Sequence, residues 1–536
     1  MKIPNCVNGE WKQGEGDGQQ LIDPVTGEAL VSVSSEGIDF AEALAFSRKY
    51  GTGGLQTLTY KQRTDLLAKI ADVLTKNRDE YFDICLRNMG ATKGDAGFDV
   101  DGAIYTLKQY AKWGQALDGK LIKEGAVVPL SKTGAFQAQH FLQPLEGVAV
   151  FINAFNFPAW GLWEKAAPAL LSGVAVLVKP ATPTAWLTQV MVEDVIEAGI
   201  LPAGALSIVC GSARDLLDHL GADDVVAFTG SASTAHKVRG NGSVIANSVR
   251  VNIEADSLNA AILGPDAPGT QPFDLLVKEV VREMTQKAGQ KCTAIRRILA
   301  PRDNARAVAD AIAAALAKVQ VGNPRNPEVK CGPVVNKAQQ KSVLEGIAEL
   351  KREASVVFGA DKSFHLVDAE AQKSSFVQPT LLFCEDAAKA QAVNEVEVFG
   401  PVATVVPYAI PLHDNPNPEF LSSACSPSAA IRLARRGGGS LVASIFSDDA
   451  DFKRRVSLGI ASTHGRIMVV DSTVDGQHTG HGNVMPNCLH GGPGRAGGGE
   501  ELAGLRALEL YHRRFVVQGP PELLNKLSER AVELST

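Results

Sequence analysis

The chain lacks the marks of several protein classes, and each gap excludes something. Its eight cysteines (Cys6, Cys85, Cys210, Cys292, Cys331, Cys384, Cys425 and Cys488) are scattered, form no C-x-x-C pair and make no zinc-spaced group with histidine. A disulfide scaffold and a spacing-defined metal site are excluded, and reduced thiols in a cytoplasmic protein are expected. No apolar run follows Met1-Lys2-Ile3-Pro4-Asn5, so no secretory signal is read. The longest uncharged stretch, 147–163, includes Asn153, Asn156 and Pro158 and is short for a membrane span. Positive charge is not in excess either. The net charge is −6, which disfavours nucleic acid and anionic membranes as partners. There is no internal repeat, no low-complexity block and no P-loop, and no standard phosphate loop is expected to explain a nucleotide.

What the chain does have is length and alternation. Its 536 residues, 45% hydrophobic and 21% charged, exceed one ordinary core and suggest two or three domains. Leu66, Leu67, Ile70, Val73 and Leu74 recur at helical spacing and predict helix across 60–89. From 147 onward, short apolar runs at 147–152, 174–178, 205–209 and 225–228 read as buried strands, with a helix at 186–198 between two of them. That alternation predicts βαβ units, a parallel sheet and an α/β fold. A second α/β domain starts near 259–263, with helices at 275–287 and 304–319. The glycine-rich stretches 437–439 and 491–499 read as loops, and 131–142 as a hairpin strand.

Five short motifs carry chemistry. Gly289-Gln290-Lys291-Cys292-Thr293 follows a helix, and its turn would present Cys292 as a nucleophile with a free backbone N–H for an oxyanion. The other reading is a buried structural thiol. In Asn252-Ile253-Glu254-Ala255-Asp256, an acid at a strand end could activate water. Glu254 is preferred, with Asp256 as a structural cap, although either could be a surface acid. Asn153-Ala154-Phe155-Asn156-Phe157-Pro158 places an amide donor, or simply a turn, after another strand. Val178-Lys179-Pro180-Ala181-Thr182 ends a strand where nucleotide crevices form, and Phe228-Thr229-Gly230-Ser231 turns a strand into a helix whose N-terminus suits a phosphate.

In order and spacing these motifs, with Glu397-Val398-Phe399-Gly400-Pro401 after them, resemble the aldehyde dehydrogenase superfamily from Asn8-Gly9-Glu10-Trp11 to about Gln518. The resemblance implies a Rossmann-like cofactor domain (1–128 and 147–254), an α/β catalytic domain (255–505) and a small three-stranded oligomerisation flap (129–146 and 510–523). It implies Cys292 as nucleophile, Glu254 as the base of deacylation and Asn156 in the oxyanion site. Lys165 and Glu501 match a pair linked to proton relay, or form an ordinary salt bridge. Phe155, Lys179, Thr182, Gly230, Ser231, Glu397 and Phe399 would contact the cofactor.

The match has departures. The base motif usually reads Glu-Leu-Gly-Gly, and here it is Glu254-Ala255-Asp256-Ser257; Ala235 replaces a common glycine. Thr182 stands where a ribose-binding Glu is frequent, which removes repulsion against a 2′-phosphate, so NADP is expected over NAD. The stretches 254–259, 288–297 and 490–501 resemble the branch that oxidises CoA-linked semialdehydes in aerobic benzoyl-CoA and phenylacetate degradation. Because the chain stops at Thr536, shortly past the flap, a stand-alone enzyme is expected rather than a fusion. The implied partners are a CoA-linked aldehyde and further copies of the chain, as homodimer or tetramer. Two rivals are a CoA-acylating dehydrogenase, disfavoured by Glu254, and a non-catalytic relative. A third is a cysteine hydrolase using His478, His481 or His490, which would leave the nucleotide motifs unexplained.

Overall fold

The computed structural model describes residues 1–361, 363–386, 389–409, 429–474 and 476–533, so Cys425 lies outside the described residues. Two seven-stranded sheets organise it. The first runs Arg250–Glu254, Val225–Thr229, Val148–Ile152, Ala175–Lys179, Leu206–Ile208, Asn5–Val7, Glu10–Lys12. Its five strands between Val148 and Glu254 are parallel. The chain steps outward from Val148–Ile152 through two neighbours, then returns to the other side at Val225–Thr229. Such a reversal opens a crevice beyond the carboxyl ends of the strands. Those ends are aligned: Ile152 lies opposite Lys179, and Thr229 opposite Glu254. The unbroken apolar runs follow from burial on both faces. Val148, Val150 and Ile152 enter one core while Ala149 and Phe151 enter another.

The predicted helix at 60–89 is two helices, Tyr60–Lys76 and Arg78–Met89, because Asn77 leaves helical geometry at φ −95°, ψ 10°. Of the hairpin strand expected over 131–142, residues 137–142 are strand and residues 131–136 form the turn before it. Ser131 Oγ accepts from Phe136 N, Gly134 adopts φ +72°, and the strands are Leu121–Pro129 and Gln137–Pro144. Together with His512–Gly519 and Ala531–Glu533 they form a four-stranded sheet, one strand more than the resemblance implies. The extra strand pairs in parallel with Leu121–Lys123. No helix of the described residues is long and apolar enough to cross a membrane.

The second sheet runs Ser355–Phe358, Thr380–Phe383, Val402–Tyr408, Ile295–Pro301, Asn259–Leu263, Ser440–Phe446, His464–Val470, with only the first strand antiparallel. Residues 255–258 join the two sheets. The Asn259 amide donates to the carbonyls of Cys292 and Ala294 at 2.7 and 2.9 Å. The carboxyl edge of the first sheet thereby meets the amino edge of the second, where Cys292 sits. The helix before Cys292, Gln271–Thr285, ends earlier than the pattern predicts because the chain turns left-handed at Lys287 (φ +52°), Ala288 (+50°) and Gly289 (+67°). Such geometry costs on the order of 1 kcal/mol per non-glycine residue and needs outside support. Asp95 Oδ1 accepts from Lys287 N at 2.9 Å, and Asp99 lies 3.6 Å from Lys287 Nζ. A Cβ on Gly289 would lie 2.2 Å from the Gly400 carbonyl oxygen.

Candidate active site

Glu254 ends its strand fully enclosed, so its neighbours decide its state. His490 Nε2 lies 2.8 Å from Glu254 Oε2 as an ion-pair contact, and neither Nε2 nor Glu254 Oε1 has a partner in hydrogen-bond geometry among the described residues. Burial alone would raise the carboxyl's pKa, but the His490 charge, Lys165 and the Cys292 thiol together hold it below the usual range. Burial opposes the charge on His490 in turn, yet Glu254, Glu164 and Glu501 push its pKa up to about 9. Lys165 Nζ sits 2.5 Å from Glu164 Oε1 and 3.1 Å from Glu501 Oε2, and Asn252 donates to Glu501 Oε1 at 3.0 Å. Lys165 and Glu501 thus meet, in a buried group of acids and bases in which Glu164, Glu254, His490 and Glu501 offer atoms within 4.8 Å of one another.

Cys292 Sγ, an oxygen of Glu254 and a ring nitrogen of His490 also fall within 4.8 Å of one another. Burial raises the thiol pKa well above its ordinary value, and the negative charges of Glu254 beside it, Glu164 and Glu397 raise it further. The resting form is therefore the thiol, while the nucleophile is the thiolate. The Cys292 N–H and the Asn156 amide make no hydrogen bonds among the described residues, and both residues line one small space with Glu254. Lys291 does not face the thiol. Its ammonium is buried against Glu283 at 2.7 Å and Gln286 at 2.8 Å.

Cys292 lies where two cavities meet. One, of about 550 Å³, occupies the crevice at the strand ends and is lined by Phe155, Lys179, Thr182, Gly230, Ser231, Glu397 and Phe399, with Asn156 and Glu254. The Phe155 and Phe399 rings pack edge to face at 5.7 Å. Glu397 accepts from Ser257 N at 3.2 Å; burial raises its pKa to about 7 against the pull of Arg296. Burial lowers the pKa of Lys179. Ser231 caps the helix Ala232–Arg239, and Asp256 Oδ1 takes the Ala232 N–H at 2.9 Å. The expected phosphate end of that helix is thus partly capped already, and Ser233 N–H is left without a partner among the described residues. The helix end at Ser231, the Lys179 side chain and a volume in the range of ligand sites fit a dinucleotide. The second cavity, of about 330 Å³, is walled by Phe98, Tyr105, Phe157, Trp160, Val484 and Met485 and reaches Cys292 and His490.

Glu164 and His490 carry no local signal for this site. Adjacent residues on a helix normally diverge, yet the Lys165 side chain folds back onto Glu164. His490 arrives on a two-stranded ribbon, Leu489–Gly491 with Glu500–Leu502, in which it lies directly opposite Glu501. The glycine run between these strands was a usable hint of close backbone approach. A Cβ on Gly497 or Gly499 would stand 2.2 or 2.5 Å from the Ile253 carbonyl oxygen. Gly499 N donates to that oxygen at 3.0 Å, and Ala255 N donates to Ala496 O at 3.0 Å. The loop also spells G-x-G-x-x-G over Gly492–Gly497, against the expectation that no standard phosphate loop is present. It opens no crossover helix but closes onto the strand of Glu254, so the letters here serve packing.

The aldehyde dehydrogenase family pattern matches residues 11–412. A 3,4-dehydroadipyl-CoA semialdehyde dehydrogenase of Aromatoleum evansii is 62% identical over 495 residues, 92% of this chain and 93% of that protein. Protein MaoC of Klebsiella aerogenes is 37% identical over 202 residues, 38% of this chain and 54% of its own length. Among solved structures, betaine aldehyde dehydrogenase of Staphylococcus aureus with NAD+ superposes with a TM-score of 0.82 at 22% identity, covering 96% of this chain and 95% of that one. The NAD+ complex of a Bacillus cereus aldehyde dehydrogenase gives 0.81 at 23% identity, covering 97% of each. By the matched span and the identity to the Aromatoleum protein, the chain belongs to the aldehyde dehydrogenase family and is an NAD(P)-dependent aldehyde dehydrogenase.

Proposed function

We propose that this enzyme oxidises the aldehyde of 3,4-dehydroadipyl-CoA semialdehyde, or a closely similar CoA-linked semialdehyde, to the acid in aerobic aromatic degradation, with NADP as acceptor. The observation that carries the chemistry is Cys292 at the junction of two cavities, with a carboxylate beside it and the Asn156 amide lining the same space. The name of the 62%-identical relative supports the substrate. Thr182 in place of an acid, close in sequence to Lys179 on the same cavity wall, supports NADP.

In this reading the Cys292 thiol first releases its proton to solvent, the thiolate adds to the carbonyl carbon, and the oxyanion is held by the Asn156 amide and the Cys292 N–H. Phe155, Glu397 and Phe399 line the larger cavity and would hold a nicotinamide dinucleotide, which would accept the hydride that leaves the substrate carbon as the oxyanion collapses to the thioester. The thioester left on Cys292 is then hydrolysed: Glu254 takes a proton from water, water oxygen bonds to the acyl carbon, and the sulfur departs. Lys165 and Glu501 adjoin that carboxylate and are placed to pass the proton on. The apolar walls of the smaller cavity receive the carbon chain, with the CoA end outside.

Residues 1–128 with 147–254, and 255–505, are the proposed cofactor and catalytic domains, and 129–146 with 510–523 belong to the proposed flap. Val127, Val128, Leu130, Phe136, Phe515 and Val516 are exposed on or beside the four-stranded sheet, a surface that a second copy of the chain would cover. A monomer by light scattering would refute that.

The deciding assay is initial-rate reduction of NADP and NAD with the CoA-linked semialdehyde beside simple aldehydes. We expect a strong preference for the CoA-linked substrate with NADP. Equal rates with simple aldehydes would reject the substrate, and a preference for NAD would reject the Thr182 argument.

A further inference from the structure

We infer that His490 is the positioning residue of the general base: its imidazolium holds one oxygen of Glu254 and leaves the other as the proton acceptor for the water that attacks the Cys292 thioester. The inference rests on the reading of Glu254 as the base of deacylation and adds a residue to it.

Three observations converge. The first is contact. His490 Nε2 and Glu254 Oε2 form an ion pair at 2.8 Å, both residues are buried, and neither Nε2 nor Glu254 Oε1 has a partner in hydrogen-bond geometry among the described residues. A carboxylate with one oxygen anchored has a fixed orientation, which a base acting on a single water requires. The second is rigidity. The ribbon that carries His490 is locked to the strand that carries Glu254 through Gly497 and Gly499 on Ile253, and through Asn252 Oδ1, which accepts from Glu500 N at 2.9 Å. The Trp160 ring meets the imidazole edge-on at 5.2 Å between centroids. Base and histidine therefore sit on one packed unit.

The third is charge balance. The groups around His490 are Glu254 from the strand end, Glu164 and Lys165 from the helix Trp160–Ser172, Glu501 from the facing ribbon strand and Cys292 from the nucleophile turn. Three enclosed carboxylates face one ammonium. Were all three ionised, a single negative charge would remain with His490 charged and two with it neutral, at contact distance in a low-dielectric interior. Burial already raises the Glu164 pKa to about 8, and loss of the imidazolium removes the main charge that keeps Glu254 low, so the Glu254 pKa rises as well. A protonated Glu254 cannot accept a proton from water. The raised pKa of His490 is consistent with an imidazolium across the neutral range.

The test uses the full chain with NADP and a simple aldehyde, comparing wild type, H490Q, E254Q and the double variant. The pre-steady-state burst of NADPH counts acylation-competent sites, and the steady-state rate reports deacylation across pH. For H490Q we expect a full burst, a roughly tenfold slower steady state near neutrality, and an acid limb moved up by about one pH unit or more, with the deficit shrinking as pH rises. On the E254Q background, H490Q should change the deacylation rate less than twofold, because it acts through the missing carboxylate. An unmoved acid limb, or a full additional loss in the double variant, overturns the inference. E254Q with normal turnover overturns instead the reading of Glu254. Should H490Q not fold, histidine NMR of the wild type decides. The imidazole should stay protonated to about pH 9 and titrate lower in E254Q; equal titration in both overturns the proposal.

Discussion

The active site is assembled from two regions of opposite character. The carboxyl edge of the first sheet delivers Lys179 and Glu254 at strand ends and Asn156 and Ser231 just beyond two others, on four neighbouring parallel strands. The ribbon Leu489–Gly491 with Glu500–Leu502 delivers His490 and Glu501 from far along the chain, held in place by glycine packing. The edge supplies groups that face the cofactor and the oxyanion, whereas the ribbon supplies charges that set the state of one of those groups. Damage to the edge should therefore abolish a step, and damage to the ribbon should retune one.

The largest effect expected is at the junction. C292A should lose turnover by about 10⁴-fold or more, since Cys292 is the only thiol of the described residues that lines the cavities. E254Q should keep the NADPH burst and slow steady-state turnover by roughly 10²–10³-fold. The burst rate in wild type should rise with pH, because the raised pKa of the Cys292 thiol leaves little thiolate at neutrality. Stopped-flow absorbance measures all three. A burst lost in E254Q would give Glu254 a role before hydride transfer and dissolve the division between the two halves of the reaction.

A middle effect tests the ribbon. Gly497 adopts φ +106°, and a Cβ there would lie 2.2 Å from the Ile253 carbonyl oxygen, which is backbone and cannot swing aside. G497V should destabilise the fold by about 1–3 kcal/mol and slow deacylation more than the burst, as His490 and Glu501 shift from Glu254. Thermal unfolding and the same burst assay read both. Equal losses in burst and deacylation would mean that the ribbon supports the whole site rather than the base.

The same contrast explains what the sequence could tell. The strand ends were legible because burial on both faces of a parallel sheet leaves short apolar runs whose termini can be read directly, as at Val148–Ile152 and Val225–Thr229. Cys292 and Glu254 stood out beside such runs. The pairing of His490 with Glu254 was not legible, because it depends on a ribbon register and on glycines chosen for backbone clearance. From the sequence Asp256 is legible as a cap but its partner is not; the fold gives it the first N–H of the helix after Ser231. The left-handed run at Lys287 and Ala288 was hidden too, since neither residue favours that geometry and the support comes from Asp95 and Asp99 on a distant helix.

The smallest effect belongs to the quiet end of the strand edge, where Thr182 and Lys179 line the larger cavity away from the acid–base group. If the edge acts by simple electrostatics toward the cofactor, T182E should lower kcat/KM for NADP by roughly tenfold and leave NAD within about twofold, since a carboxylate repels a 2′-phosphate and accepts from ribose hydroxyls. Burst amplitude at saturating cofactor should not change, because Cys292 and Glu254 are untouched. Thr182 itself makes only a weak contact, 3.5 Å to the Gly211 carbonyl oxygen, so its removal costs the fold little and the readout stays with the cofactor. A T182E enzyme that keeps its NADP efficiency would place the discriminating charge elsewhere, with the Lys179 ammonium as the next group to neutralise.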